Sequence, residues 1–141
     1  MARIKIHLPE KFIFSTTIPI RITDLNYGGH VGNDTVLTLL HEARMQFLQH
    51  FNYTELDFEG TSLIMSDVAI EFKSELFYGD IIKAYVTAND FGRIGFDICY
   101  KLVNEKDEKV AAIAKTGMVC FDYSSRKVVA VPEAAEKELK G

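Results

Sequence analysis

The sequence predicts an α+β protein in which a strongly curved antiparallel sheet of five to six strands wraps around one long central helix. Three observations carry that prediction. One apolar run of helical period follows a glycine-rich loop near residue 30. Four later segments switch to alternation of period two. The joints between those segments have turn composition, so neighbouring strands are expected to pair as hairpins.

Each element follows in order. Residues 12–22, "FIFSTTIPIRI", are rich in β-branched and aromatic side chains and read as a strand. Pro19 cannot donate to a ladder, which assigns this strand to a sheet edge or a bulge. The loop "DLNYGGHVGND" follows, and Asn33 or Asp34 is expected to cap the next helix. Val36, Leu40, Ala43, Phe47 and Phe51 recur at helical spacing, and Leu37, Leu39 and Leu48 widen the stripe. A helix over 34–51 would be roughly 27 Å long. So broad an apolar surface predicts a helix largely covered by other structure.

Beyond residue 60 the period-two segments are 62–73, 80–89, 93–104 and 109–123, with a short strand expected at 127–131. The tail "PEAAEKELKG" reads as a frayed helical turn or a loose end. No repeats, linkers or low-complexity tracts interrupt the chain, so residues 1–141 are expected to form a single domain. The outer face and an edge strand of such a sheet need cover, which predicts a dimer or tetramer.

Composition removes several function classes. Apolar residues make up 48% and charged residues 26%, the balance of an ordinary folded domain and not of a disordered one. A net charge of −4 argues against a general affinity for nucleic acid. The opening residues lack a continuous apolar stretch of signal-peptide type, and no apolar run reaches membrane-spanning length; cytoplasmic residence is the expectation. Cys99 and Cys120 lie in predicted strands without metal-ligand spacing, so no metal site is expected.

"RITDLNYGGHVGND" followed by "HEAR" resembles the signature of hot-dog-fold thioesterases, the 4-hydroxybenzoyl-CoA and acyl-ACP thioesterase group. Its usual form is Asp-x-Asp-x-x-Gly-His-Val-x-Asn, then a helix ending in Ala-Arg. "FKSELFYGDIIKAYV" and "VAAIAKTGMVCFDYSSRKVVAVP" are similar to later family segments, so the resemblance spans nearly the whole chain. It implies hydrolysis of an acyl-CoA or acyl-ACP thioester at a dimer interface, with no metal and no cofactor beyond the carrier that belongs to the substrate.

The chemistry required is an oxyanion stabiliser, an activated water and a slot for the acyl group. Backbone amides of Gly29, Val31 and Gly32, just before the helix, are the expected oxyanion donors. Asn26 occupies the position where the family usually has its catalytic aspartate. An amide cannot serve as a base, but it can orient a water or a carbonyl. His30, Asp34 and Glu42 are the candidate proton acceptors. Leu37, Leu40, Phe47, Leu63, Met65 and Phe77 are candidate acyl-channel residues. Arg93, Lys73 and Lys115 are the candidates for CoA phosphates, with Lys101 a further basic residue on a strand. Two competing readings are a dehydratase or hydratase using His30 with Glu42, and a non-catalytic acyl-thioester binding protein.

Overall fold

The structure, a computed structural model, describes residues 2–140. In chain order it forms β1 (Phe14–Pro19), a short 3₁₀ turn (Ile22–Asp24), α1 (Asn33–His50), β2 (Ser62–Phe72), β3 (Ile81–Asn89), β4 (Gly95–Asn104), β5 (Val110–Asp122), β6 (Lys127–Val128) and α2 (Glu133–Lys140). The sheet runs β1-β3-β4-β5-β2, every neighbouring pair antiparallel, and β6 adds to β5. As the proline predicts, β1 is an edge strand, with Pro19 its last residue, opposite Ile81. The other edge is β2.

Alternation places Phe96, Ile98, Tyr100 and Leu102 of β4 inward. They meet Leu40, Phe47 and Leu48 of α1, all three fully buried. The helix is not enclosed on every side. Val36, Leu39, Leu40, Ala43, Arg44, Phe47 and Leu48 are buried, whereas Leu37, Thr38, His41 and Glu42 face outward. The sheet therefore covers one side of α1 and leaves the other open. The breadth of the apolar stripe overstated the cover because Leu37, 37% exposed, belongs to the open side.

Three further expectations change. The cap of α1 is Gly32 in extended conformation, with no side-chain hydrogen bond, instead of Asn33 or Asp34. The strand expected at 127–131 is reduced to Lys127–Val128, although Val129 still donates to the Cys120 carbonyl and Val131 to that of Arg93. The tail is a docked helix. Ala135 and Leu139, one turn apart, are fully buried, while Glu133 and Glu136 near its start and Lys137 and Lys140 near its end suit the helix dipole.

A polar chain crosses the core beneath α1. Buried Arg44 donates through Nε to Glu55 (3.1 Å) and through a terminal nitrogen to the Tyr100 hydroxyl (3.2 Å), which lies 2.7 Å from Thr116 Oγ1. His41 engages the other Glu55 oxygen at 2.9 Å. Burial opposes the Arg44 charge, but Tyr100 and Glu55 outweigh it, so the guanidinium sits above its ordinary pKa. Arg44→Ala would leave Tyr100 and Glu55 short of a donor in a poorly hydrated place. The expected loss is about 3 kcal/mol in urea denaturation; a loss near zero would mean that the network does not hold α1 on the sheet.

Candidate active site

The loop between the 3₁₀ turn and α1 is closed on itself by its own hydrogen bonds. Buried Asp24 accepts from the Arg21 amide (2.8 Å) and lies 3.4 Å from the Arg21 guanidinium. Asn26 Oδ1 accepts from Gly28 N at 2.9 Å, its carbonyl from Gly29 N at 3.1 Å, and its own amide donates to the His30 carbonyl at 2.9 Å. Asn26 is thus the brace of an Asx turn. Gly29 holds φ at +84°, which only a residue without Cβ adopts without strain. A Cβ at Gly32 would stand 2.6 Å from Asp34 Oδ1 and 3.6 Å from Asn26 Nδ2, so the missing side chain is what lets both groups close over the helix start.

This geometry engages two of the three expected oxyanion donors elsewhere. The Gly29 amide is taken by Asn26, and the Val31 amide donates to the Leu76 carbonyl at 2.9 Å. Gly32 is the N-cap, and it brings no side-chain acceptor to the first turn. The first amides of a helix have no intrahelical partner. The available donors therefore lie at Gly32 itself and at Asn33 and Asp34 just after it, where the helix dipole is also most positive.

His30 is oriented by its neighbours. Its Nδ1 lies 3.1 Å from the Val31 carbonyl. A carbonyl can only accept, so Nδ1 carries the hydrogen and Nε2 of the neutral ring keeps its lone pair. Phe77 packs edge-on against the imidazole, with ring centroids 6.5 Å apart. Glu75 Oε1 stands 4.0 Å from Nε2. The His30 side chain remains 35% exposed.

His30 stands at the rim of a cavity of about 240 Å³. Val31, Val36, Phe72, Leu76, Ala111 and Ala112 make the apolar walls, and Asn33, Lys73, Ser74 and Glu75 complete the rim. The site thus joins the start of α1 to the end of β2 and the start of β5.

The predicted site residues separate into those that meet here and those that do not. Asn26, His30, Gly32 and Asp34 cluster: a Cβ on Gly28 would lie 3.2 Å from Asn26 Oδ1 and 3.7 Å from His30 Nε2. Lys73 is on the cavity rim, leaning 3.3 Å from Glu71. Glu42 is elsewhere. It accepts from Gln46 at 2.7 Å and lines a groove of about 430 Å³ between β1 and the open side of α1. Lys115 lies 3.7 Å from Asp97 in a depression that includes Cys99, and Arg93 lies in another beside Gly95. The three cations do not converge on one phosphate site.

None of the six apolar channel candidates lines the cavity. Leu40, Phe47 and Leu63 are core, Leu37 and Met65 are exposed, and Phe77 covers His30. The walls of this cavity had a faint signal: Phe72 and Leu76 flank Lys73 in a segment similar to a family segment, and Ala111–Ala112 is a place where small side chains leave room. The cysteines offer no nucleophile. Burial, then Asp97, pushes the Cys99 thiol up to about 11, and burial raises Cys120 as well.

Comparison with known proteins fixes the family. The thioesterase-like superfamily matches residues 20–139. A 1,4-dihydroxy-2-naphthoyl-CoA hydrolase from Microcystis aeruginosa is 30% identical over 123 residues, covering 85% of this chain and 88% of that protein. A 1,4-dihydroxy-2-naphthoyl-CoA thioesterase from Synechocystis superposes with a TM-score of 0.82 at 19% identity, covering 90% of this chain and 95% of that one. A thioesterase from Thermus thermophilus, solved with coenzyme A and zinc, gives a TM-score of 0.80 at 18% identity, covering 93% of this chain and all of the other. With its match over most of its length and its curved antiparallel sheet packed on one long helix, the chain belongs to the thioesterase-like superfamily and has the hot-dog fold.

Proposed function

We propose that the protein hydrolyses an acyl-CoA thioester to the free acid and the CoA thiol, with His30 as the base. The observation that carries this is the meeting of three parts at one place: first-turn amides of α1, an imidazole with Nε2 free, and an apolar cavity beside both. The carbonyl oxygen of the substrate points at the amides of Asn33 and Asp34, and the acyl group enters the cavity. A water between Nε2 and the carbonyl carbon attacks. His30 takes its proton as the tetrahedral oxyanion forms, and returns a proton to the sulfur as the C–S bond breaks. One well-aimed donor contributes about 3–4 kcal/mol to such a transition state.

CoA is favoured over acyl-carrier protein because the named relatives act on a CoA thioester. The buried free thiols of Cys99 and Cys120 suit a cytoplasmic setting, and no helix among the described residues is long and apolar enough to cross a membrane. The hydratase reading loses support within one chain, since His30 and Glu42 line different cavities. We further propose a homodimer or tetramer built on the β2 edge. That strand is 11 residues long, has a free side, and exposes Met65, Val68 and Phe72.

His30→Gln should lower kcat about 100-fold or more. A variant within a few-fold of the parent would remove His30 from proton transfer. Asn26→Asp keeps the oxygen that accepts from Gly28, so its melting temperature should hold and its rate change by less than about threefold. A rise of about tenfold or more would move the base to position 26. Val68→Lys places a charge on the free edge and should yield monomers in light scattering; an unchanged mass would mean that the subunits meet elsewhere.

A further inference from the structure

The cavity beside His30 reaches the end of β2, and the free flank of that strand is where a second copy is expected. We infer that the segment before β2 in the partner subunit closes the cavity there, with Leu56 of the partner subunit as its outer wall. The inference rests on the two readings above, a thioesterase site at His30 and an assembly through the β2 edge. A site at a subunit boundary is what the family resemblance implies; the segment and the side chain that complete it follow from this chain.

The strand itself says where the partner lies. Two identical edge strands related by a twofold axis through the sheet run antiparallel. β2 spans Ser62–Phe72, so its middle residue is Asp67. Met65, Ser66, Asp67 and Val68 form an exposed run that interrupts the alternation, and it is centred on the same place. An axis at Ser66–Asp67 sets Phe72 beside Thr61 or Ser62 of the partner subunit.

The second observation is what occupies the flank at that point. β5 pairs with β2 on one side. The Leu63 amide donates to the Glu55 carbonyl at 2.7 Å, and Ser62 Oγ donates to the Leu56 carbonyl at 3.0 Å. These bonds seat Glu55–Leu56 on the other side, the free one, at the start of β2. The seat is firm. Phe58 is fully buried and stacks on Phe96, and Phe58 and Thr61 exchange two backbone bonds. Glu59 and Gly60 between them hold φ at +51° and +86°, as a two-residue hairpin turn requires. Yet Leu56, on this anchored segment, is 77% exposed.

Axis and flank together bring Leu56 of the partner subunit against the end of β2, where Phe72 lines the cavity and is 48% exposed. The contact covers two apolar side chains that a single chain leaves in water. Charge agrees with it. Residues 52–61 carry Glu55, Asp57 and Glu59 and no cation, whereas Lys73, next to Phe72, has 46% of its side chain exposed. An acyl group in the cavity then rests on its own chain at one side and on the partner subunit's Leu56 at the other. The site of a single chain is incomplete.

Leu56→Gln alters an exposed side chain, so its mass in light scattering should equal that of the parent. Its KM for an acyl-CoA should rise about tenfold, with kcat within about threefold. The decisive experiment pairs it with His30→Gln. Two copies, one carrying each substitution under its own affinity tag, are co-expressed and purified through both tags. With the wall supplied by the partner subunit, one site of each mixed pair is free of both changes, and about half of the parental kcat/KM returns. A wall supplied within the same chain leaves every site with one defect; a value of about a twentieth or less overturns the inference.

Cross-linking decides the geometry without relying on activity. Leu56→Cys combined with Phe72→Cys, treated with a short bis-maleimide, should run at twice the chain mass on a denaturing gel, and neither single variant should. Cys99 and Cys120 are buried and stay out of the reaction. A band at the single-chain mass alone overturns the inference. Should the parent release no thiol from acyl-CoAs while the cross-link forms, the hydrolase reading fails and the shared cavity stands.

Discussion

The structure depends on where α1 is held. Its buried side is seated in the curve of the sheet by Leu40, Phe47 and Leu48, and Arg44 locks it there through Tyr100, Thr116 and Glu55. Packing at this density leaves little freedom for sliding or rotation. The position of the first turn is then determined. Backbone pairing, the Val31 N to Leu76 O bond with the bridge between His30 and Phe77, ties that turn to the segment that follows β2. Every feature of the site inherits its place from those two restraints.

The local chemistry follows from the same economy. The loop before α1 closes on itself through the amides of Asn26, Gly28 and Gly29, so these glycines serve closure more than they serve a ligand. Free donors remain only where the helix begins, because no earlier turn of helix exists to accept from them. His30 is held by a carbonyl on one nitrogen and kept open on the other. An imidazole fixed in that tautomer beside an apolar recess is suited to taking a proton from water.

The open side of α1 is the complement of the closed one. Thr38, His41 and Glu42 border a groove with β1, and β2 leaves its outer edge unpaired on the opposite margin of the sheet. A single chain thus buries one half of its helix and presents the other half to its surroundings. His41 nevertheless shares Glu55 with buried Arg44, which links the open side electrostatically to the core.

How much could be read beforehand divides along the range of the interactions. The sequence by itself determined the order of the long helix and the main strands and the period-two faces of those strands, since each depends on neighbours within a few residues; Pro19 left β1 as an edge or a bulged strand, and the pairing decided for the edge. It also marked the loop and His30, because unusual backbone demands leave glycines behind. It did not show that Asn26 O and Leu76 O capture the amides of Gly29 and Val31, nor that Lys73 shares a cavity rim with His30 while Glu42, Lys115 and Arg93 stand apart. The cavity walls come from segments far apart in the chain, and they were decided only when the sheet curled and brought Ala112, Phe72 and Val36 to one place. The docking of α2 is of the same kind: Ala135 and Leu139 mark a face, but only the folded sheet supplies the surface that buries it.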